Sequence, residues 1–198
     1  MKRLKAVVMV GLLGVSSLGY ANDIYVEQVG SSSTVTITQQ GTGNTVGNST
    51  DSIYIGSGSN TVSIDQIGDS NTLAMVVNGS SANTTVVTTG SGNTQTINCG
   101  TTVSAGCSGS TITQTVTGDD NIITQNLGAG ANHTSNITVT GDTNTVTHTS
   151  TATGTTTMNA TISGNLNTVG VTQSGMTTQN VTINSTGNSN SITVNQSN

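Results

Sequence analysis

The chain has no proline, no tryptophan and no phenylalanine, and only 6% of its residues are charged. Without proline, every backbone N–H can enter a β-ladder. Without the large aromatics, and with 31% hydrophobic residues, a thick conventional core is out of reach. Basic residues number three, and all of them (Lys2, Arg3 and Lys5) precede residue 6. Beyond that point the chain carries eight acids, Asp23, Glu27, Asp51, Asp65, Asp69, Asp119, Asp120 and Asp142, and no cation. Nucleic-acid binding by phosphate neutralisation is thereby excluded, because that affinity comes from Lys and Arg. A basic patch for anionic membranes is excluded for the same reason. Low charge does not imply disorder here. Disordered chains are usually highly charged and proline-rich, whereas this one abounds in the strand formers Thr, Val and Ile.

The three basic residues stand before an apolar run over residues 6–15, and Gly19 and Ala21 supply small residues at the −3 and −1 positions of a cleavage site. Residues 1–21 read as a secretory signal peptide cut after Ala21, leaving 22–198 as the mature chain. No later segment reaches the ~20 apolar residues a spanning helix needs. The expectation is a secreted, extracellular protein without membrane insertion.

What is present is a repeat, the first thing to seek in such a chain. The pattern Gly-x-x-Asn recurs seven times, as Gly41/Asn44, Gly68/Asn71, Gly90/Asn93, Gly118/Asn121, Gly141/Asn144, Gly164/Asn167 and Gly187/Asn190. Successive Asn spacings are 27, 22, 28, 23, 23 and 23 residues. Seven residues before each Asn stand Ile37, Ile64, Val86, Gln114, Ile137, Ala160 and Ile183. Nine before stand Val35, Val62, Thr84, Ile112, Ser135, Met158 and Val181, and two after stand Val46, Leu73, Gln95, Ile123, Val146, Val169 and Ile192. The residues between are mostly Thr, Ser or Asn, so each unit alternates with the period of a strand that has one dry and one wet face. Gly and Asn both tolerate the positive φ of a tight reversal. Each unit therefore reads as strand–turn–strand, unable to bury its apolar face alone but able to do so when stacked. The predicted fold is an all-β, two-sheet β-solenoid of about seven coils, each about 22–23 residues, in a column on the order of 34 Å tall at the usual strand spacing. Two longer spacings place insertions near residues 48–57 and 99–109. The former contains DSIYIG, an additional short strand of unassigned phase. The opening DIYVEQVGSSS reads as a partial unit, with Gln28 and Gly30 in the repeat's places and Ser33 where Asn would stand.

These units resemble the repeats of curlin, the subunit family of curli amyloid fibres. The family pattern is Ser, five residues, Gln, x, Gly, two residues, Asn, x, a small apolar residue, three residues, Gln. STVTITQQGTGNTV supplies Ser33, Gln39, Gly41, Asn44 and Val46, and NTVSIDQIGDSNTL supplies Gln66, Gly68 and Asn71 with Asn60 in place of Ser. Later units keep Gly and Asn but put Thr88, Val116, Val139, Ile162 or Ser185 at the first Gln, while the second survives as Gln173 and Gln196. The resemblance spans roughly 24–198. It implies a homopolymer of cross-β fibre for biofilm matrix and surface adhesion. It also implies a nucleating subunit and an outer-membrane secretion channel as partners. The lack of a basic terminal repeat points to a major-subunit-like role.

Other chemistry is sparse. Cys99 and Cys107, with seven residues between them in an exported chain, suggest a structural disulfide; free thiols or a bond between chains are the alternatives. Zinc is not expected, because His133 and His148 lack ligand spacing to the cysteines. Asp119 and Asp120 lie in a Gly-containing turn without the dense Gly-Gly-x-Gly-x-Asp repeat of calcium β-rolls. With Asp69 and Asp142 they read as solvated turn residues that slow aggregation. No nucleophile–base arrangement is recognisable, and neither an enzyme nor a cofactor is expected. The wet face offers an alternative. Outward Thr34, Thr36 and Thr38, and Thr111, Thr113 and Thr115, form Thr-x-Thr arrays like those of ice-binding proteins, interrupted by Asp65, Val87, Asn136, Asn159 and Asn184. An ice-binding or adhesin-type solenoid that stays monomeric is thus the rival expectation.

Overall fold

Alternation of β-branched and hydroxyl residues gives strands, and a corner that recurs every 22 to 28 residues stacks each strand on its counterpart one unit on. A computed structural model describes residues 8–12, 21–28, 33–47, 53–55, 60–77, 81–99, 109–128 and 132–198. Among these there is no helix, and every strand pairing is parallel. The chain is a β-solenoid whose two sheets face each other across one thin core.

The first sheet runs from Val8–Leu12 through Thr34–Gln40, Thr61–Ile67 and Asn83–Thr89. Four further rungs follow, each split into two short strands, ending with Gln179–Val181 and Asn184–Ser185. The second sheet opens with Asp23–Ile24 and Val26–Gln28, continues with Thr45–Val46 and Ile53–Ile55, and closes with Ser191–Ser197. Between them lie Thr72–Val77, Thr94–Cys99, Ile122–Leu127, Thr145–Ser150 and Thr168–Ser174. Burial alternates residue by residue through both sheets. The break in the split rungs does not disturb it, since Gln114 between the two pieces is still fully buried.

The inward rows are those the repeat predicts. Ile37, Ile64, Val86, Gln114, Ile137, Ala160 and Ile183 are all buried, and so is the row from Val35 to Val181. The row after the corner is buried from Val46 to Val169, with Ile192, in the last described coil, only partly covered. Full burial of a Val, Ile or Leu side chain contributes about 1.5–3 kcal/mol, repeated at those inward positions that carry one, while Gln, Thr, Ser or His holds others. Ile64 faces Leu73 and Met75 in one apolar cluster, while Val116, Ile137, Met158 and Val169 belong to a second. A polar layer separates the two. Gln95 donates to Thr88, Gln114 donates to Gln95, and Gln125 Nε2 donates to Gln114 Oε1 at 2.9 Å.

Three readings of the sequence change. The opening DIYVEQ is the second-strand half of a unit, not the first, because Asp23 and Ile24 pair with Thr45 and Val46. Its marker is therefore Asn22, upstream of the strand, and Ser33 instead occupies the position of Asn60, where the family pattern has Ser. The segment Ile53–Ile55 acquires a phase: Val26 lies opposite Ile53, and Ile55 lies between Gln28 and Val77. Finally, Cys99 ends the strand Thr94–Cys99 on the row of Val77 and Leu127, so the insertion starts after it. Cys107, and with it the disulfide reading, lies outside the described residues, as do 48–52 and 56–59 of the other insertion.

Candidate functional site: the corner ladders and the column ends

At each corner the chain must reverse within four residues, and Gly meets that need in two ways. The seven corner glycines have φ between 90° and 121° (Gly164 and Gly90). Their bare Cα atoms also pack on the next coil. A Cβ at Gly68 would lie 2.0 Å from the Gly90 carbonyl oxygen, and one at Gly118 would lie 2.3 Å from that of Gly141. The same holds at Gly41, Gly90, Gly141 and Gly164, but at Gly187 the nearest atom is 3.9 Å away.

The asparagines do something else than the sequence suggests. The left-handed residue is the one before each Asn: Gly43, Ser70, Gly92, Asp120, Thr143, Leu166 and Ser189 have φ from 55° to 70°. Asn itself is free of that task and turns inward. Asn44, Asn71, Asn93, Asn121, Asn144 and Asn167 are at most 1% exposed. Each from Asn71 to Asn167 donates both its backbone N–H and its Nδ2 to the Oδ1 of the preceding coil's Asn, at 2.9–3.1 Å. Asn44 N–H donates likewise to Asn22 Oδ1 at 2.9 Å. In four coils Nδ2 also donates forward, to the carbonyls of Gly68, Gly90, Gly118 and Gly141. A buried carboxamide costs free energy unless it is bonded, and here each neighbour supplies the bonds. The ladder's last described member is Asn190, whose backbone N–H donates to Asn167 Oδ1 at 3.0 Å and whose Nδ2 donates to its own Thr186 carbonyl at 3.0 Å, as Asn167 Nδ2 does to that of Ser163.

A second ladder runs outside the first. Asp69 Oδ1 accepts from Thr42 N–H and Oγ1 at 2.7 and 3.0 Å, Asp119 Oδ1 from Ser91 N–H at 2.7 Å, and Asp142 Oδ1 from Asp119 N–H at 2.9 Å. Asn165 and Asn188 continue it, accepting from Asp142 and Asn165 N–H at 2.8 Å. These acids are exposed, as expected, but they also stitch coils together, which reading them as solvated turn residues misses.

The glutamines form two separate stacks. Gln39 Nε2 donates to Gln66 Oε1 at 2.9 Å in the first sheet, and Gln173 Nε2 donates to Gln196 Oε1 at 3.0 Å in the second. By register Gln28 lies on the row of Gln173 and Gln196, at its opposite end. Between Gln125 and the lower stack stand two buried histidines. His148 Nε2 contacts Gln173 Oε1 at 2.9 Å and its Nδ1 contacts Ser135 Oγ at 3.3 Å. His133 Nδ1 and Nε2 contact Thr156 Oγ1 and the Gly128 carbonyl at 2.6 and 3.0 Å. Burial lowers the pKa of both, that of His148 to about 4. Among the described residues no three His, Cys, Asp or Glu gather as a metal site, and no helix is long and apolar enough to cross a membrane.

The class this architecture defines is a two-sheet parallel β-solenoid with Asn-laddered corners. No family model, no curated protein and no solved structure matches the chain. The likeness to curlin thus rests on the repeat motifs themselves.

Proposed function

We propose that this is an extracellular structural protein that polymerises end to end into a cross-β, curli-like fibre of biofilm matrix and adhesion. The observation that carries the reading is the interrupted ladder at the last corner. Among the described residues every internal Asn is served by a coil on each side, whereas no coil lies beyond Asn190 and Gly187 has open space where its predecessors meet a carbonyl. The last strand, Ser191–Ser197, leaves Ile192, Val194 and Gln196 half-covered. Proteins that remain monomeric blunt such an edge with Lys, Pro or a covering element. Here the mature chain has neither residue, so a further coil adds by the bonds that already join coils. Secretion as a signal-peptide-bearing precursor, a secretion channel and a nucleating subunit belong to the same reading.

The experiment is polymerisation of residues 22–198 freed from denaturant, followed by light scattering and an amyloid-binding dye. A rise in both after a lag supports the fibre. A monodisperse monomer that persists for days at high concentration refutes it. The ice-binding alternative is favoured by one specific feature, the outward column Thr96, Thr124 and Thr147 in register on the second sheet. Ala74 and Gly170 interrupt that column. Inhibition of ice recrystallisation by the same monomer would select it.

A further inference from the structure

Within residues 22–198 the two sheets are unequal. The second has eight rungs, from 23–28 to Ser191–Ser197, and the first has seven, from Thr34–Gln40 to 179–185. The second sheet therefore projects at both ends, and the first is one strand short. The difference is made up by Val8–Leu12, which pairs in parallel with Thr34–Gln40 and puts Val8 opposite Val35, Val10 opposite Ile37 and Leu12 opposite Gln39. Those partners are the inward positions of the rung. A chain cut after Ala21 loses this strand and uncovers the edge. The edge is seven residues long and unbroken, whereas the opposite end of the first sheet is split into pieces of three and two residues. The uncovered edge is thus much the better template for an added strand.

The edge also specifies what it takes. Gln39 is buried and spends its Nε2 on Gln66, while its Oε1 has no partner among the described residues. A carboxamide opposite Gln39 would donate to that oxygen in the same direction in which Gln39 donates to Gln66. We propose that the Thr34–Gln40 edge is a docking site for an extended, uncharged strand from another polypeptide. That strand enters parallel, with apolar residues at the first two inward positions and glutamine at the third.

The test uses residues 22–198 held monomeric by dilution, and three peptides spanning residues 6–14 with a soluble flexible tail. The first carries the natural sequence, the second Leu12→Gln, and the third both Leu12→Gln and Val10→Asp. The expected result is one peptide per chain, with slowed amide exchange in Thr34–Gln40 and unchanged exchange in Ser191–Ser197. The Leu12→Gln peptide should bind about fivefold more tightly than the natural one, the worth of one hydrogen bond, and the Val10→Asp form should not bind. No slowing in Thr34–Gln40, or equal binding by the aspartate peptide, overturns the proposal. A chain that takes the peptide yet never polymerises overturns the fibre reading and leaves this site standing; polymerisation without peptide uptake does the reverse.

Discussion

Asn93 is joined to Asn71 twice, its backbone N–H and its Nδ2 both donating to the same Oδ1 at 3.1 and 3.0 Å. Both residues are essentially without exposure, so neither amide has water to fall back on. Replacing Asn93 by Ala should orphan the Gly118 carbonyl and the Asn121 backbone N–H, which donates to Asn93 Oδ1, and leave Asn71 Oδ1 with only the backbone N–H of residue 93. The expected cost is about 2–4 kcal/mol, since an unsatisfied buried group costs about 1–3 kcal/mol. Equilibrium denaturation of the monomer measures it, and a loss below 0.5 kcal/mol, of the order seen at ordinary surface sites, would show the ladder to be incidental.

The corner glycines separate folding from growth. Gly118→Ala drives a methyl into the Gly141 carbonyl oxygen, and backbone cannot yield as a flexible side chain can. It should prevent the column from forming. Gly187→Ala meets only the φ penalty, because its nearest atom is 3.9 Å away. That strain is on the order of 1–3 kcal/mol, so the monomer should fold. A docking coil would place a carbonyl where the methyl lies, and seeded elongation should stop. Circular dichroism of the two variants, with elongation from wild-type seeds, distinguishes the roles.

Inward assignment is tested by charge. Ile64→Asp and Ile137→Asp place a carboxylate at positions 1% and 0% exposed, with no cation anywhere in residues 6–198 to compensate. Each should abolish folding, because an unpaired buried charge is very costly. Unchanged strand content would contradict the register.

Acid should loosen the C-terminal coils through His148. Its folded pKa, about 4, lies below the ordinary imidazole value of 6.5, chiefly because burial disfavours the imidazolium. The unfolded chain then binds more protons between those values, so stability is full above about pH 6.5 and declines as pH falls toward 4. The total loss is roughly 3 kcal/mol at 1.36 kcal/mol per unit. His148→Gln should flatten the pH profile of unfolding in that window, and a profile unaltered by the substitution would exclude His148 as the cause.

The architecture was legible because its cause is periodic. Gly68 and Asn71 recur with their inward partners Ile64 and Leu73, and a repeated alternation can bury its dry face only by stacking. What the corners do was less legible. Asn and Gly share a tolerance for positive φ, so the composition of GDSN does not reveal that Ser70 takes the left-handed conformation and Asn71 the buried bonds. The first half-unit was misread because Gln28 matches either Gln of the repeat; only pairing of Ile24 with Val46 assigns it. His133 gave no signal of burial, since it stands in a row that also holds Ser110, Thr156 and Gln179.

Fibre diffraction from aligned material of residues 22–198 tests end-to-end stacking most directly. Coils that continue from chain to chain place every strand across the fibre axis, giving a meridional reflection near ~4.8 Å and an equatorial one near ~10 Å. Aggregates without an oriented ~4.8 Å meridional reflection would contradict continuous coil stacking.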